Sequence, residues 1–278
     1  MSHAPLGSLS VHRLGFGAMQ LPGPRVFGPP RDHDAAIAVL RRAVELGVDH
    51  IDTAQFYGPD VANALIREAL HPYPARLALV SKVGARRDEA AGWLRDDEPA
   101  QLRAGIEDNL RSLGVEQLAA VNLRVMDRLL DSQLDAMAQA RQDGLIAGVG
   151  LSNVTLDQLR HALDITDIAC VQNPLNLIDR TSLPVLQECE RRGIAFVPFF
   201  PLGSGFGVDA VRDDPRVTAT ATRLDVTPSQ VALAWLLALS PAILLIPGTS
   251  SVQHLEQNLA AGDVALDEQA RRDLDLPQ

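Results

Sequence analysis

Short apolar, β-branched runs alternate with amphipathic segments from about residue 14 onward. The runs at 13–17, 50–52, 77–82, 119–124, 146–152, 168–172, 195–199 and 243–246 read as strands. Between them, residues 33–46, 61–70, 99–113, 132–143, 156–163, 183–192, 228–239 and 252–261 read as helices. Several boundaries carry their own signals. Thr227-Pro228 is an N-cap followed by proline at the first helical position, and Gly47, Gly114, Gly144 and Gly193 close helical stretches. The most apolar stretch, 231–247, is broken by Ser240-Pro241, which predicts a buried helix and then a buried strand rather than a membrane span. Eight strand-plus-helix units without linker, repeat or low-complexity segment predict α/β architecture: one closed (β/α)8 barrel, a single domain over residues 1–278. The alternative, a doubly wound open sheet, would present a glycine-rich phosphate turn after its first strand. Residues 15–20, GFGAMQ, lack the third glycine.

Composition narrows the function. The formal net charge of -10 argues against non-specific binding to nucleic acid or anionic membranes. Two cysteines, Cys170 and Cys189, are too few for a disulfide framework and fit a reducing compartment. The first residues lack a basic region followed by an apolar run, so the expectation is a cytoplasmic protein without a signal peptide. Of the 25 basic residues only Lys82 is lysine. A lone lysine among arginines is expected where a compact ammonium of tunable pKa is needed and guanidinium cannot serve.

Polar residues interrupt the apolar strands at their carboxyl ends: Asp52, Lys82, Arg124, Ser152-Asn153 and Gln172-Asn173. In a barrel these ends share one face, where such enzymes keep their sites. The loop 53–59 can carry Tyr57 over that face. A tyrosine beside a lysine is expected to have a lowered phenol pKa and to serve as general acid and base. An aspartate would hold the ammonium in place. Without a G-x-S-x-G elbow, a Cys/His pairing or a metal-binding histidine spacing, a cofactor is expected to carry the difficult step. Each residue taken alone has a structural alternative: Asp52 as a turn residue, Ser152-Asn153 as a cap, Gln172-Asn173 as turn chemistry, Arg124 as an ion-pair partner. Their shared face favours a site.

These residues sit in segments that resemble the aldo-keto reductases over essentially the whole chain: RLGFGAMQL, HIDTAQFYG, LVSKVG, VGLSNV, VQN, FFPLGSG and LIPGTSSVQHLEQNLAA. The resemblance implies NADPH-dependent reduction of a small carbonyl substrate. Tyr57 would be the general acid, Lys82 would lower its pKa, and Asp52 would orient Lys82. Ser152, Asn153 and Gln172 would bind the nicotinamide carboxamide, with Phe199 against its ring. Leu202, Gly203 and Ser204 would touch the pyrophosphate. Gly248, Thr249, Ser250, His254, Gln257 and Asn258 would hold the adenosine end, near a helix N-terminus that suits phosphate. No metal is implied, and the expected state is a monomer or weak homo-oligomer.

Two positions depart from the family pattern. Arg124 stands where a histidine is usual; it can donate to a carbonyl oxygen but cannot act as a neutral imidazole. His254 stands where many NADP-preferring members have arginine, which leaves NADH open as cofactor. The segments VNLRVMD, GFGAMQL…VFGPPRD and PFFPLG are similar to the bacterial pyridoxal reductase branch, which makes pyridoxal the leading substrate. The sixth strand reads QNPLN rather than the commoner QNEYN, and the stretch after Met126 is compact. An NAD-dependent sugar or alcohol dehydrogenase of the same fold and a weakly catalytic nucleotide-binding sensor are the competing expectations.

Overall fold

A computed structural model describes residues 2–203 and 210–276. Its first element is absent from the pattern above. Two strands, β1 (His3–Leu6) and β2 (Leu9–His12), form an antiparallel hairpin in which Leu6 faces Leu9 across a two-residue turn. Gly7 takes φ +60° there, a conformation that suits glycine. Ala4, Leu6 and Val11 of the hairpin pack with Ala78, Val80, Ala120, Ala195 and Val197 from barrel strands. The hairpin therefore closes the floor of the barrel over its small inward residues.

The barrel strands follow in chain order: β3 (Phe16–Gly17), β4 (His50–Asp52), β5 (Ala78–Arg87), then β7 (Ala120–Arg124), β8 (Val149–Ser152), β9 (Ile168–Pro174) and β10 (Ala195–Phe199). All neighbours along this series pair in parallel. The eighth position is taken by residues 243–245, which bridge Phe196 on one side and Leu14 on the other. Backbone bonds from Gly15 to Leu245 and from Leu244 to Phe196, at 2.8 and 2.9 Å, close the ring. The closed (β/α)8 barrel expected from the pattern is the observed fold, with its active-site face at the carboxyl ends of the strands.

The helices lie outside: α1 (His33–Glu45), α2 (Val61–Leu70), α3 (Pro99–Leu113), α4 (Asp131–Gln142), α5 (Leu156–Ile165), α6 (Leu183–Arg192), α7 (Pro215–Leu224), α8 (Pro228–Leu239), α9 (Val252–Ala260) and α10 (Glu268–Asp273). The sequence pattern missed α7 and α10, which are extra to the eight-fold repeat. The apolar helix followed by a buried strand is borne out by α8 and residues 243–245. Thr227 caps α8 by accepting from the Gln230 N–H at 3.2 Å, and Trp235 of the same helix is fully buried. Among the described residues no helix is long and apolar enough to cross a membrane. Both cysteines are buried and unpaired, and burial pushes each thiol up to about 12.

One strand outruns its expected end. β5 does not stop at Lys82 but continues to Arg87 and turns back as β6 (Trp93–Asp96), an antiparallel hairpin standing over the mouth. Gly84 is the hinge of this excursion. It takes φ +97°, and a Cβ there would lie 2.8 Å from the Arg124 carbonyl oxygen. The glycine after VSKV marks a bend in the strand, not its end.

Candidate active site

Strands β4, β5, β7, β8 and β9 carry Asp52, Lys82, Arg124, Ser152 and Gln172 onto the wall of one cavity of about 710 Å³. The cavity also takes Tyr57, Asn153, Phe199, Leu202, Gly203 and Gly248. Eleven of the residues singled out in the sequence thus meet in one place, although they span positions 52–248. Thr249, Ser250, His254, Gln257 and Asn258 lie beyond this cavity, on the loop and helix that continue from Gly248. His254 and Ser250 are exposed, whereas Thr249 and Asn258 are buried. Ser204 lies outside the described residues.

Tyr57 reaches the mouth through a tight turn after β4. Its N–H bonds the Ala54 carbonyl at 3.0 Å, and its own carbonyl accepts from Ala62 at the start of α2 at 3.1 Å. Gly58 allows the turn: at φ +104°, a Cβ would sit 2.3 Å from that of Val61. At the base of the cavity, the Lys82 ammonium donates to the Asp52 carboxylate and, at 3.0 Å, to the Thr53 carbonyl. It lies 5.0 Å from the centre of the Tyr57 ring. The second Asp52 oxygen accepts from Gln172 Nε2 at 2.5 Å. Asp52, Tyr57 and Lys82 are each less than a tenth exposed. The buried charge pair is therefore hydrogen-bonded at both ends, the condition under which burial is tolerable.

Behind this unit lies a polar network that sequence reading did not find. Thr53 Oγ1 donates to Asn63 of α2 at 2.9 Å, Asn63 donates to Asn109 of α3 at 3.0 Å, and Ser81 Oγ donates to Asn109 at 2.5 Å. Thr53 and Ser81 are the neighbours of Asp52 and Lys82, so helix packing holds the ion pair in register. Apolar helical periodicity could not reveal this, because Asn63 and Asn109 sit on the buried faces as polar exceptions.

The phenol differs from expectation. Burial raises the Tyr57 pKa, Lys82 and Arg124 oppose this, and Asp52 adds to it; the net direction is upward, not the lowering expected from a neighbouring lysine. Lys82 is penalised by burial, but Asp52 and Tyr57 more than offset it, and its pKa ends raised. The resting unit is a neutral phenol beside a charged ammonium, a state suited to giving a proton.

Arg124 is not drawn into an ion pair with any described residue. Its guanidinium stacks 4.1 Å from the centre of the Trp93 ring and 5.9 Å from that of Phe56. Burial lowers its pKa. Trp93, Arg87, Phe56, Met19, Gln20 and Arg25 also line the cavity, and all were missed. Most come from the loop after the first barrel strand and from the β5–β6 hairpin, which open on the same face as Asp52. That placement was the available signal.

The residues present fit a nicotinamide nucleotide. Gln172 Oε1 is buried without a partner, an acceptor for a carboxamide N–H. At the opposite wall, a Cβ on Gly248 would lie 2.5 Å from the Gly17 carbonyl oxygen, so the two backbones meet there with no room for a side chain on Gly248. At the amino ends of the strands, His3, His12 and Asp49 hold ligand-type atoms within 4.8 Å of one another. There Asp49 accepts the His12 backbone N–H at 2.9 and 3.1 Å, which ties the floor hairpin to the barrel.

The aldo/keto reductase family profile matches residues 13–275. The chain belongs to the aldo/keto reductase family. Pyridoxine 4-dehydrogenase of Escherichia coli is 50% identical, over 97% of this chain and 96% of that protein. An uncharacterized oxidoreductase of Schizosaccharomyces pombe is 39% identical, over 97% of this chain and 88% of that protein. Among solved structures, an aldo/keto reductase from Klebsiella pneumoniae in complex with NADP and acetate superposes with a TM-score of 0.82. It is 25% identical and covers 100% of this chain and 96% of its own. As an aldo/keto reductase, this chain is an NAD(P)H-dependent oxidoreductase of the pyridoxal reductase-like branch.

Proposed function

We propose that this aldo/keto reductase reduces a small aldehyde to an alcohol with NADPH, pyridoxal being the leading substrate. The observation that carries the reading is the Asp52–Lys82–Tyr57 unit at the base of a cavity of about 710 Å³, a volume suited to a small ligand. The Escherichia coli relative is named for the pyridoxine reaction, and the Klebsiella pneumoniae structure holds NADP. Both support the choice of substrate and cofactor.

In this reading Gln172 Oε1 receives the carboxamide, with Ser152 and Asn153 beside it and Phe199 against the ring. Leu202 and Gly203 line the path of the phosphates, and Gly248 belongs with the adenosine end. Thr249, Ser250, His254, Gln257 and Asn258 serve the adenosine end. A reduced nicotinamide, when bound, supplies the hydride. The Tyr57 hydroxyl donates its proton to the carbonyl oxygen. Lys82 stabilises the phenolate that remains, and solvent returns the proton. Asp52 keeps the ammonium charged and aimed. Because burial favours the neutral phenol, the acid is loaded before substrate arrives.

The test is initial-rate oxidation of NADPH and of NADH with pyridoxal and a panel of aldehydes and ketones. Turnover of pyridoxal with NADPH is expected to exceed that of simple aldehydes. No turnover with any carbonyl, alongside measurable nucleotide binding, would remove the reductase reading.

A further inference from the structure

The charge on the cavity wall opposes that of the chain. Net charge is -10, yet the charged residues lining the cavity are Arg25, Lys82, Arg87, Arg124 and Arg212 against Asp52 alone. Asp52 is already taken up by Lys82 and Gln172. Lys82 serves the proton donor, and Arg87 and Arg124 need a different account.

Many arginines elsewhere in this acidic chain sit on carboxylates, as Arg95, Arg103, Arg216 and Arg223 do, while others, such as Arg13 and Arg67, donate to backbone carbonyls. Arg124 and Arg87 sit on no carboxylate among the described residues. They lie against the same Trp93 ring, with guanidinium carbons 4.1 and 4.3 Å from its centre. Arg87 is 9% exposed. One of its nitrogens, Nη2, donates to the carbonyls of Arg25 and Ala91, at 3.1 and 2.8 Å, while Nε and Nη1 are buried without partners. Two like charges flanking one indole, one of them deeply buried, are costly when neither makes an ion pair among the described residues and the nearby Asp88 offsets only part of the burial of Arg87. The indole relieves part of that cost, since each cation over its ring is attracted to it. An anion in the cavity would relieve the rest and would use the planar donor edge that Arg124 presents. Phe56 links this group to the acid: its ring is 5.4 Å from that of Tyr57 and 5.9 Å from the Arg124 guanidinium. An anion held by Arg124 would thus lie near the carbonyl rather than at the end of a long chain.

We propose that the substrate carries an anionic oxygen close to its carbonyl, and that Arg124, backed by Trp93 and Arg87, selects for it. The inference rests on the reading of Tyr57 as proton donor and deepens it. The ligand class is an aldehyde bearing a neighbouring phenolate or carboxylate; pyridoxal, with a ring hydroxyl beside its formyl group, is one member. Arg124 acts as a specificity group, a role that a neutral histidine at that position would fill poorly.

The test pairs each anionic aldehyde with a neutral partner: pyridoxal with its 3-O-methyl ether, and 2-formylbenzoate with its methyl ester. KM and kcat are measured at pH 7 for the wild type, Arg124→Gln and Arg124→Lys, with NADPH binding followed by fluorescence as a control for folding. The wild type is expected to favour the anionic member, mainly through KM. Arg124→Gln is expected to collapse the anionic-to-neutral ratio of kcat/KM by about 10- to 100-fold, the range for a charge-assisted hydrogen bond. Arg124→Lys should restore part of that ratio, because it keeps the charge but not the planar fork. A ratio unchanged by Arg124→Gln, or no anionic preference in the wild type, would overturn the inference. Pyridoxal turnover with a ratio indifferent to Arg124 would leave the pyridoxal reading standing and this one fallen. Arg124-dependent turnover of 2-formylbenzoate with pyridoxal inert would do the reverse.

Discussion

At the scale of single residues, the proposed reaction has Tyr57 and Lys82 divide one task between them. The phenol is buried and its pKa is raised above the ordinary 10.0, so it stays protonated through the neutral range. Reduction consumes that proton. Its kcat/KM should therefore hold steady up to about pH 10 and fall only above it, when the phenol ionises before substrate binds. A loss assigned to Tyr57 near neutrality would contradict the raised phenol. Tyr57→Phe should cut reduction by about 10²- to 10⁴-fold, the range for a lost general acid, while NADPH still quenches the protein's fluorescence. Lys82 carries structural weight as well. Lys82→Met strands the Asp52 carboxylate with Gln172 as its remaining side-chain partner, which should cost about 3–5 kcal/mol in a denaturant titration. Adding Asp52→Asn should recover much of that loss. If the double variant were no more stable than Lys82→Met, the buried charge would not be the source.

At the scale of elements, the β5–β6 hairpin decides what surrounds Tyr57. Barrel strands supply Asp52, Lys82 and Gln172 from rigid positions, but Arg87 and Trp93 reach the mouth only because β5 bends at Gly84. Adding a methyl there meets both an unfavourable φ and the Arg124 carbonyl. Gly84→Ala should therefore destabilise the protein by more than about 1 kcal/mol and raise the aldehyde KM. The NADPH dissociation constant should not move, since the residues proposed to hold the nucleotide come from other elements. Equal effects on both ligands would mean that the hairpin does not act through the substrate side alone.

At the scale of the whole molecule, ring closure is the step on which the site depends, because the first and last strands carry Gly17 and Gly248 to opposite sides of one seam. Arg13 guards that seam. Its guanidinium donates to the carbonyls of Ile243, Leu237 and Ser240 at 3.0, 2.8 and 2.6 Å, joining the first strand to α8 and the closing strand. Arg13→Ala should lower stability by about 1–3 kcal/mol, the cost of leaving buried acceptors without donors. An unchanged denaturation midpoint would place closure elsewhere. Acid should weaken the outer layer at Glu188. Hydrogen bonds from Arg191 and Arg192 hold Glu188 down at about 2 against an ordinary 4.5. Its folded pKa is depressed, so its stabilisation is complete above about pH 4.5 and is lost as pH falls toward 2. Glu188→Gln should lose less Tm than the wild type across that window.

What the sequence determined by itself was the order of elements and the residues at strand ends. Both follow from local rules: apolar periodicity marks each strand and helix, and a polar residue ending an apolar strand has few reasons to be there. Asp52, Lys82, Arg124, Ser152 and Gln172 were legible for that reason, and the lone lysine singled out Lys82. The floor hairpin carried its own signal in the Gly7-Ser8 turn between two alternating segments, but lay outside the repeating unit. Tertiary structure alone decided the rest. It set the direction of the Tyr57 pKa, because burial is a property of the packed site and here outweighs the neighbouring ammonium. It joined Thr53, Ser81, Asn63 and Asn109 into one network, since those contacts cross 10 to 46 positions of sequence. It also set two arginines against Trp93 with no carboxylate between them, which no spacing along the chain encodes. Periodicity reads which face a residue occupies; only closure of the barrel brings those faces together.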